Sequence, residues 1–375
     1  MIKLAPIVWE LNQRGLRKHA LLVHTGQHQE LVEAEWNTLG MVPDICLNKA
    51  NHCHDTGAYC GILLQSLSEL FHWLPQQHTI AGVLAQGDTT SVTATALAAQ
   101  YAQLPFLHLE AGLRTHNLAA PFPEELHRQL AARCARWHYA PTHAAVQNLR
   151  QEGIPEGHIV QTGNTVIDAM HHFLAALPAV NATERTQVLI TIHRSENHAQ
   201  LPAIGKGIRA LAARHPELDF QWLAHPNPAV QQYLSKHLHH QLPNLSVVPP
   251  RSYQQMMAGY RHARAIVTDS GGIQEEASVL GVPMLVIRSV TERPENLAEA
   301  MALLSPANAA DIVELFDEVL LLKPKKHQQF GDGSAAKMVV DHLLSTVLQQ
   351  AREPRLSERD PRACANDRGS CAHAG

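Results

Sequence analysis

Thr268-Asp269-Ser270-Gly271-Gly272-Ile273-Gln274-Glu275-Glu276-Ala277 follows an apolar run at 265–268 and opens a helical pattern. Two glycines at a strand-to-helix turn let backbone N–H groups come close to a phosphate, and the helix dipole favours an anion there. The same pair would also serve a tight turn that needs a positive φ. Ser270 adds a hydroxyl, and Glu276 adds a carboxylate able to accept from ribose hydroxyls. The run is neither a P-loop nor a dinucleotide GxGxxG, so it supports neither NTP hydrolysis nor a nicotinamide cofactor. A strand ending in such a turn is one unit of a parallel α/β sheet.

Outward from this stretch the unit repeats. Runs at 188–192, 220–224, 245–248 and 284–287 are about as long as strands, and each is followed by a helical pattern. Upstream, the pattern lapses at 177–185 into Pro-Ala-Val-Asn-Ala-Thr, which reads as a hinge. Before the hinge, runs at 20–24, 80–85, 106–109 and 137–140 alternate with amphipathic stretches at 90–102 and 124–136. The expectation is two Rossmann-like, doubly wound parallel-sheet domains, 1–176 and 177–333, with a cleft between them. A helix at 334–352, with Met338, Val339, Leu343, Leu344 and Val347 on one side, should pack back on the first domain. Residues 353–375 lack periodicity and read as a disordered tail.

Composition bounds the function. A chain of 375 residues exceeds what one core usually serves, and 45% hydrophobic against 17% charged residues suits a large packed interior. The net charge of −4, with scattered Lys and Arg, excludes the basic stripe that nucleic-acid binding requires. No apolar run approaches the about 20 residues that span a bilayer, and the start lacks the features of a signal peptide, so no membrane partner and a cytoplasmic location are expected. Cysteines 46, 53, 60, 134, 364 and 371 form no CxxC pair and read as reduced thiols. Asn51-His52-Cys53-His54-Asp55 has no second cluster at zinc-type spacing, so it reads as a polar loop and no metal site is expected.

Candidate chemistry gathers at element ends. Gly87-Asp88-Thr89-Thr90 lies where a strand ends, the place where open α/β sheets put ligands, although Asp88 would also serve as a helix cap. Leu107-His108-Leu109-Glu110-Ala111-Gly112-Leu113-Arg114-Thr115 is another strand end with a carboxylate. Pro121-Phe122-Pro123-Glu124-Glu125 starts a helix, where acidic residues also complement the dipole. Three carboxylates at successive element ends can hold one pKa up and another down, as acid–base chemistry needs. Across the hinge, Thr191-Ile192-His193-Arg194-Ser195-Glu196-Asn197 places a His and an Arg at a strand end, facing the crevice of the Ser-Gly-Gly turn.

Assembled, the chain resembles the non-hydrolysing UDP-N-acetylglucosamine 2-epimerases. The resemblance is carried by Thr25-Gly26-Gln27-His28, Gly87-Asp88-Thr89-Thr90, Glu110-Ala111-Gly112-Leu113-Arg114-Thr115, Phe122-Pro123-Glu124-Glu125, Thr162-Gly163-Asn164-Thr165-Val166-Ile167-Asp168, the stretch quoted first, and Thr291-Glu292-Arg293-Pro294-Glu295. The strings stand in family order, and the resemblance covers residues 2 to about 345. The resemblance implies a GT-B-like fold and an epimerisation without cofactor: C2 loses its proton as UDP departs anti from C1, and UDP re-adds to the 2-acetamidoglucal. It implies Asp88, Glu110 and Glu124 as acid–base residues, and Lys3 and His193 as partners of the diphosphate. Ser270, Gly271, Gly272 and Glu276 would cradle UDP, with Arg114, Arg194, Met256, Gln27 and His28 as further substrate contacts. A homodimer is also implied.

The sequence departs from the family at several points. The family begins with an apolar strand and a Gly-Thr-Arg-Pro-Glu loop before Ile-Lys-x-Ala-Pro, whereas this sequence opens at Met1-Ile2-Lys3-Leu4-Ala5-Pro6. The strand would lie centrally in the first sheet, so Met1 is expected to be an internal residue of a longer natural protein; a native mass that starts at Met1 would refute this. His127 replaces a family Asn, Met256 replaces a Phe that packs on uracil, and Glu299-Ala300 replaces Ala-Gly. The segment after Asn48 leaves the pattern near the family's activating site at Gln27 and Glu30. Two other functions fit the residues: a UDP-sugar-dependent GT-B glycosyltransferase, against which three first-domain carboxylates argue, and a non-catalytic UDP-sugar binder without its N-terminal phosphate loop.

Overall fold

Val188, Leu189 and Ile190 have no exposed surface, and the alternation of a strand sends them to different faces. Val188 and Ile190 enter one core with Ile204, Ile208 and Phe316, while Leu189 enters another with Ala5, Ile167 and Met257. Burial on both faces is what a parallel sheet covered by helices demands. The computed structural model describes residues 1–26, 36, 38–47, 55–181, 184–224, 228–237, 242–323 and 326–349. Gln27, His28, residues 51–54, Cys364, Cys371 and all of the expected tail lie outside the described residues.

The first half runs α1 (Ala5–Gln13), β1 (Val23–His24), β2 (Ile45–Cys46), α2 (Thr56–Trp73), β3 (Val83–Gln86), α3 (Thr90–Tyr101), β4 (Phe106–Leu109), α4 (Glu124–Cys134), β5 (Ala135–Ala140), α5 (His143–Gln151), β6 (Ile159–Gln161) and α6 (Thr165–Ala175). β3-β4-β5-β6 make one parallel sheet in that order. The run at 20–24 does not join it. Only Val23–His24 is strand, and it pairs with Ile45–Cys46 in a separate two-stranded sheet, where the Leu22 amide is taken by the Asp44 side chain.

The second half runs β7 (Gln187–Thr191), α7 (Leu201–Arg214), β8 (Asp219–Leu223), α8 (Pro228–His237), β9 (Leu245–Val248), α9 (Tyr253–His262), β10 (Ala263–Thr268), α10 (Gly271–Leu280), β11 (Met284–Ile287), α11 (Pro294–Ala298), β12 (Ala302–Ser305), α12 (Ala309–Leu321) and α13 (Ala335–His342). Its six parallel strands are ordered β9-β8-β7-β10-β11-β12, the doubly wound arrangement in which the chain reverses direction between β7 and β10. Ligands of such sheets sit outside the carboxyl ends of those two strands. The loops there are 192–197 and 269–270.

α1 and α6 lie between the halves, since Ala5, Val8, Val166, Ile167 and Met170 share a core with Ile266, Met284 and Val286 of the second sheet. The C-terminal helix lies on the first sheet: Ala336, Val339 and Val340 pack with Leu107, Leu109, Trp137 and Tyr139. Asp168 of α6 accepts from the Ala336 amide at 2.9 Å and so fixes the start of that helix. Met338 is 40% exposed and Val340 takes the inward position, because Ala336, Val339 and Val340 share one face of the α-helix and Met338 falls on the opposite side; the helix ends at His342 and a π-type turn follows at Leu343–Val347. Among the described residues no helix is long and apolar enough to cross a membrane.

Candidate active site

Asp269 organises the second half of the site. Its fully buried carboxylate accepts from the His193 amide at 3.0 Å, the Arg194 amide at 2.9 Å and Asn197 Nδ2 at 3.0 Å, folding the 192–197 loop against the end of β10. His193 Nδ1 lies 3.3 Å from the same carboxylate. Burial lowers the His193 pKa, opposed by Asp269, so the ring is poised as a neutral hydrogen-bonding group. Ser270 sits at the N-cap of α10, but its side chain makes no cap hydrogen bond. Neither Gly271 nor Gly272 has a positive φ. Gly271 is required for a different reason: a Cβ there would run into the Arg293 guanidinium and the Glu292 carboxylate.

Glu276, one turn into α10, is buried and accepts from Tyr253 Oη at 2.7 Å and Tyr260 Oη at 2.8 Å. Burial raises its carboxyl pKa to about 7, although both tyrosine hydroxyls pull it down. Met256 falls between the two tyrosines on one face of α9, at i+3 from Tyr253.

In the first half, Glu110 directly follows β4 with φ 66, a left-handed conformation that costs a non-glycine residue about 1–2 kcal/mol. Strain of this kind persists where the surroundings over-determine it, and it clusters at functional sites. Glu110 accepts from Lys3 Nζ and Gln86 Nε2 in short bonds, from Asn164 Nδ2 at 3.2 Å and from Arg293 Nη2 at 3.4 Å. Asp88 Oδ2 takes Arg128 Nη2 at 2.7 Å, and the Asp88 carbonyl accepts from His127 Nδ1 at 2.9 Å. His127, the departure from the family Asn, therefore holds the Asp88 loop by its backbone. Glu124 starts α4 with Oε2 buried and unpartnered, and its charge is felt by Arg194 across the cleft.

The halves are joined by side chains the sequence reading did not single out. Glu275 accepts from Arg293 at 2.7 Å, Asn164 at 2.8 Å and Lys3 at 3.3 Å, so Lys3 and Asn164 stand between Glu110 and Glu275. Burial works against ionisation of both carboxylates. In Glu110 it is overcome by Lys3 and Arg293, which lower the pKa; in Glu275 burial prevails, reinforced by Glu110, and raises it. Two neighbouring carboxylates pushed apart in this way are suited to divide acid and base roles. Glu275, Arg293, Glu292 and Asn164 all fall inside the quoted strings, so the signal was present; their long-range partners, 54 to 272 positions away, were not visible.

Arg114 does not belong to this constellation. Its guanidinium is bidentate to Glu152, at 2.6 and 2.9 Å, with no exposed side-chain surface, and it braces the segment after β4 against the end of α5. Of the remaining described candidates, Lys3, Asp88, Glu110, Glu124, His193, Arg194, Ser270, Gly271 and Gly272 lie at strand ends or helix starts of the two halves, and Met256 and Glu276 lie within α9 and α10. Among the described residues no group of three or more His, Cys, Asp or Glu is placed to hold a metal ion.

Known proteins resemble this chain in sequence and fold. The family described as UDP-N-acetylglucosamine 2-epimerase matches residues 11–344. The UDP-N-acetylglucosamine 2-epimerase of Neisseria meningitidis serogroup A is 33% identical over 363 residues, covering 92% of this chain and 96% of that protein. A crystal structure of the Neisseria meningitidis enzyme bound to UDP-GlcNAc superposes with a TM-score of 0.82 over 92% of this chain and 96% of that one. A structure of S. aureus MnaA with UDP has a TM-score of 0.83 at 30% identity, over 94% of this chain and 95% of that one.

Proposed function

This chain belongs to the UDP-N-acetylglucosamine 2-epimerase family, and from that premise we propose that it interconverts UDP-N-acetylglucosamine and UDP-N-acetylmannosamine, supplying a cell-surface polysaccharide precursor. UDP departs anti from C1 as C2 loses its proton, and it returns to the 2-acetamidoglucal after protonation on the other face. Asp88, Glu110 and Glu124 are the proton-moving candidates; Lys3, His193 and Arg194 meet the diphosphate. Ser270, Gly271, Gly272, Glu276 and Met256 receive the nucleoside diphosphate.

The observation that carries this reading is the position of Arg293. It packs on Gly271 of the anion-binding turn and reaches Glu110 of the opposite half, so a diphosphate on α10 lies beside carboxylates able to move a proton. Cationic partners of the diphosphate accelerate C–O cleavage when they bind the departing charge best in the transition state. The test is incubation with UDP-N-acetylglucosamine alone in deuterium oxide. Deuterium at C2 of recovered sugar, with a second epimer present, is expected. Turnover only with an added acceptor would instead support a glycosyltransferase, and UDP binding without exchange would support a non-catalytic binder. Pairing as a homodimer belongs to the same proposal, and exposed Phe122, Leu126 and Leu130 around the start of α4 support it. A monomeric mass in light scattering would remove that part.

Nucleotide affinity should depend on pH through Glu276. Its carboxyl titrates at about 7, and ribose hydroxyls donate to the ionised form. Raising the pH from about 6 to about 8 should therefore tighten UDP-N-acetylglucosamine binding about tenfold, the direction expected when binding favours loss of a proton. Glu276→Gln should be weak and flat over this range. Tyr260→Phe removes a donor that lowers this pKa, so its rise should move to higher pH. Ser270→Ala should lose about 1 kcal/mol of affinity, the worth of one hydrogen bond. Calorimetry checks each; a pH-independent wild type would displace Glu276 from the ribose.

A further inference from the structure

Glu292 holds more cations than any other carboxylate of the site. It lies in the loop between β11 and α11, it is buried, and it touches four guanidinium groups. Arg288 Nη1 is at 2.5 Å, Arg194 and Arg128 are each at 3.5 Å, and Arg293 makes a short bond. Burial opposes its ionisation, but the four cations hold its pKa far below the usual carboxylate range. Three of the four come from its own half; Arg128 comes from α4 of the other.

Two of these partners lead directly to the proton-moving candidates. Arg128 grips Asp88 Oδ2 at 2.7 Å and Glu125 at 3.1 Å, while Arg293 reaches Glu110 and Glu275. Arg128 and Arg293 thus converge on Glu292 Oε1 and diverge to different carboxylates of the first half. Like-charged guanidinium groups placed side by side in a low-dielectric interior repel unless an anion lies between them.

We infer that Glu292 is a positioning residue for the epimerisation: it holds Arg128 and Arg293 in the geometry that aims Asp88 and Glu110 at the substrate, and through Arg128 it draws the two halves together. The inference rests on the functional reading above. Glu292 itself need not touch the sugar or move a proton. Its loss therefore differs from loss of a binding group. The four cations remain, so the diphosphate is still attracted, but the carboxylates are no longer registered against it.

The measurement is kcat and KM for UDP-N-acetylglucosamine, with calorimetric Kd for UDP, on Glu292→Gln, Arg128→Gln and the double variant. Glu292→Gln should lower kcat about 100-fold, the scale of a misplacement near 1 Å, with UDP bound as tightly as before or more tightly. In the double variant the second change should add less than about threefold, because Asp88 has already lost its support. Glu292→Asp, which keeps the charge one methylene short, should recover at least about tenfold of the lost kcat; this variant also carries the test if the glutamine variant does not fold. Multiplying losses in the double variant, a wild-type kcat in Glu292→Gln, or no recovery in a folded Glu292→Asp would overturn the inference. Absence of C2 deuterium exchange in the wild type would instead overturn the functional reading beneath it.

Discussion

Asp88→Asn is expected to lower epimerisation about 10³-fold in kcat while UDP binds within about threefold of wild type, and Glu124→Gln should do the same. The Asp88 side chain is 29% exposed, far more open than Glu110 at 6% or Glu275 and Glu292 at 0%, so it is the carboxylate of the network a substrate reaches most readily. Arg128 occupies one of its oxygens and keeps it aimed; asparagine retains the shape but cannot take a proton. Glu124 differs in support, since its Oε2 is buried without a partner. An unsatisfied buried carboxylate oxygen costs about 1–3 kcal/mol, a cost that a hydrogen bond from the substrate would remove. Glu124→Gln should accordingly leave stability unchanged or slightly raised, which separates a role in chemistry from one in folding. Deuterium exchange at C2 and calorimetric UDP titration read the two halves of the expectation. A variant with wild-type exchange removes its residue from the mechanism.

These residues were legible because each sits at an element end inside a distinctive string. What holds them was not. Lys3 meets Glu275 across 272 positions and Arg128 meets Asp88 across 40, distances at which no local pattern carries information. Arg114 shows the converse error: a basic residue beside Glu110 reads as a substrate contact until Glu152, 38 positions later, is seen to occupy it. Within the fold, strands of four to six residues with both faces apolar were readable, whereas Ile45–Cys46 and Ile159–Gln161 are too short to show a period. Ala302–Ser305 adjoins an apolar stretch at helical spacing that masks it. Met338 is two residues from both Ala336 and Val340, so helical spacing itself turns it away from the face they bury.

The strained position of Glu110 separates the cost of folding from the demands of the reaction. With φ 66 at this residue, glycine should be the better residue for the backbone and the carboxylate the better one for chemistry. Glu110→Ala and Glu110→Gly lose the same contacts to Lys3, Gln86, Asn164 and Arg293, but only glycine relieves the left-handed strain. Glu110→Gly should therefore be more stable than Glu110→Ala by about 1 kcal/mol in urea unfolding, the αL cost less glycine's extra chain entropy. Both should fall below wild type, because Lys3 then keeps only Glu275, which it shares with Arg293, and a buried ion-pair network that loses one partner is destabilised by about 3 kcal/mol or more. Both should also lose epimerisation by at least about 10³-fold. Glu110→Gln keeps the side-chain length and the strain; it should be inactive too, and less stable than wild type, because an amide cannot compensate two cations. Equal stabilities of the alanine and glycine variants would show that the left-handed turn is not strained. An active glycine variant would show that the chemistry of C2 runs without this carboxylate, leaving Asp88 and Glu124 to carry the proton between the two faces of the sugar.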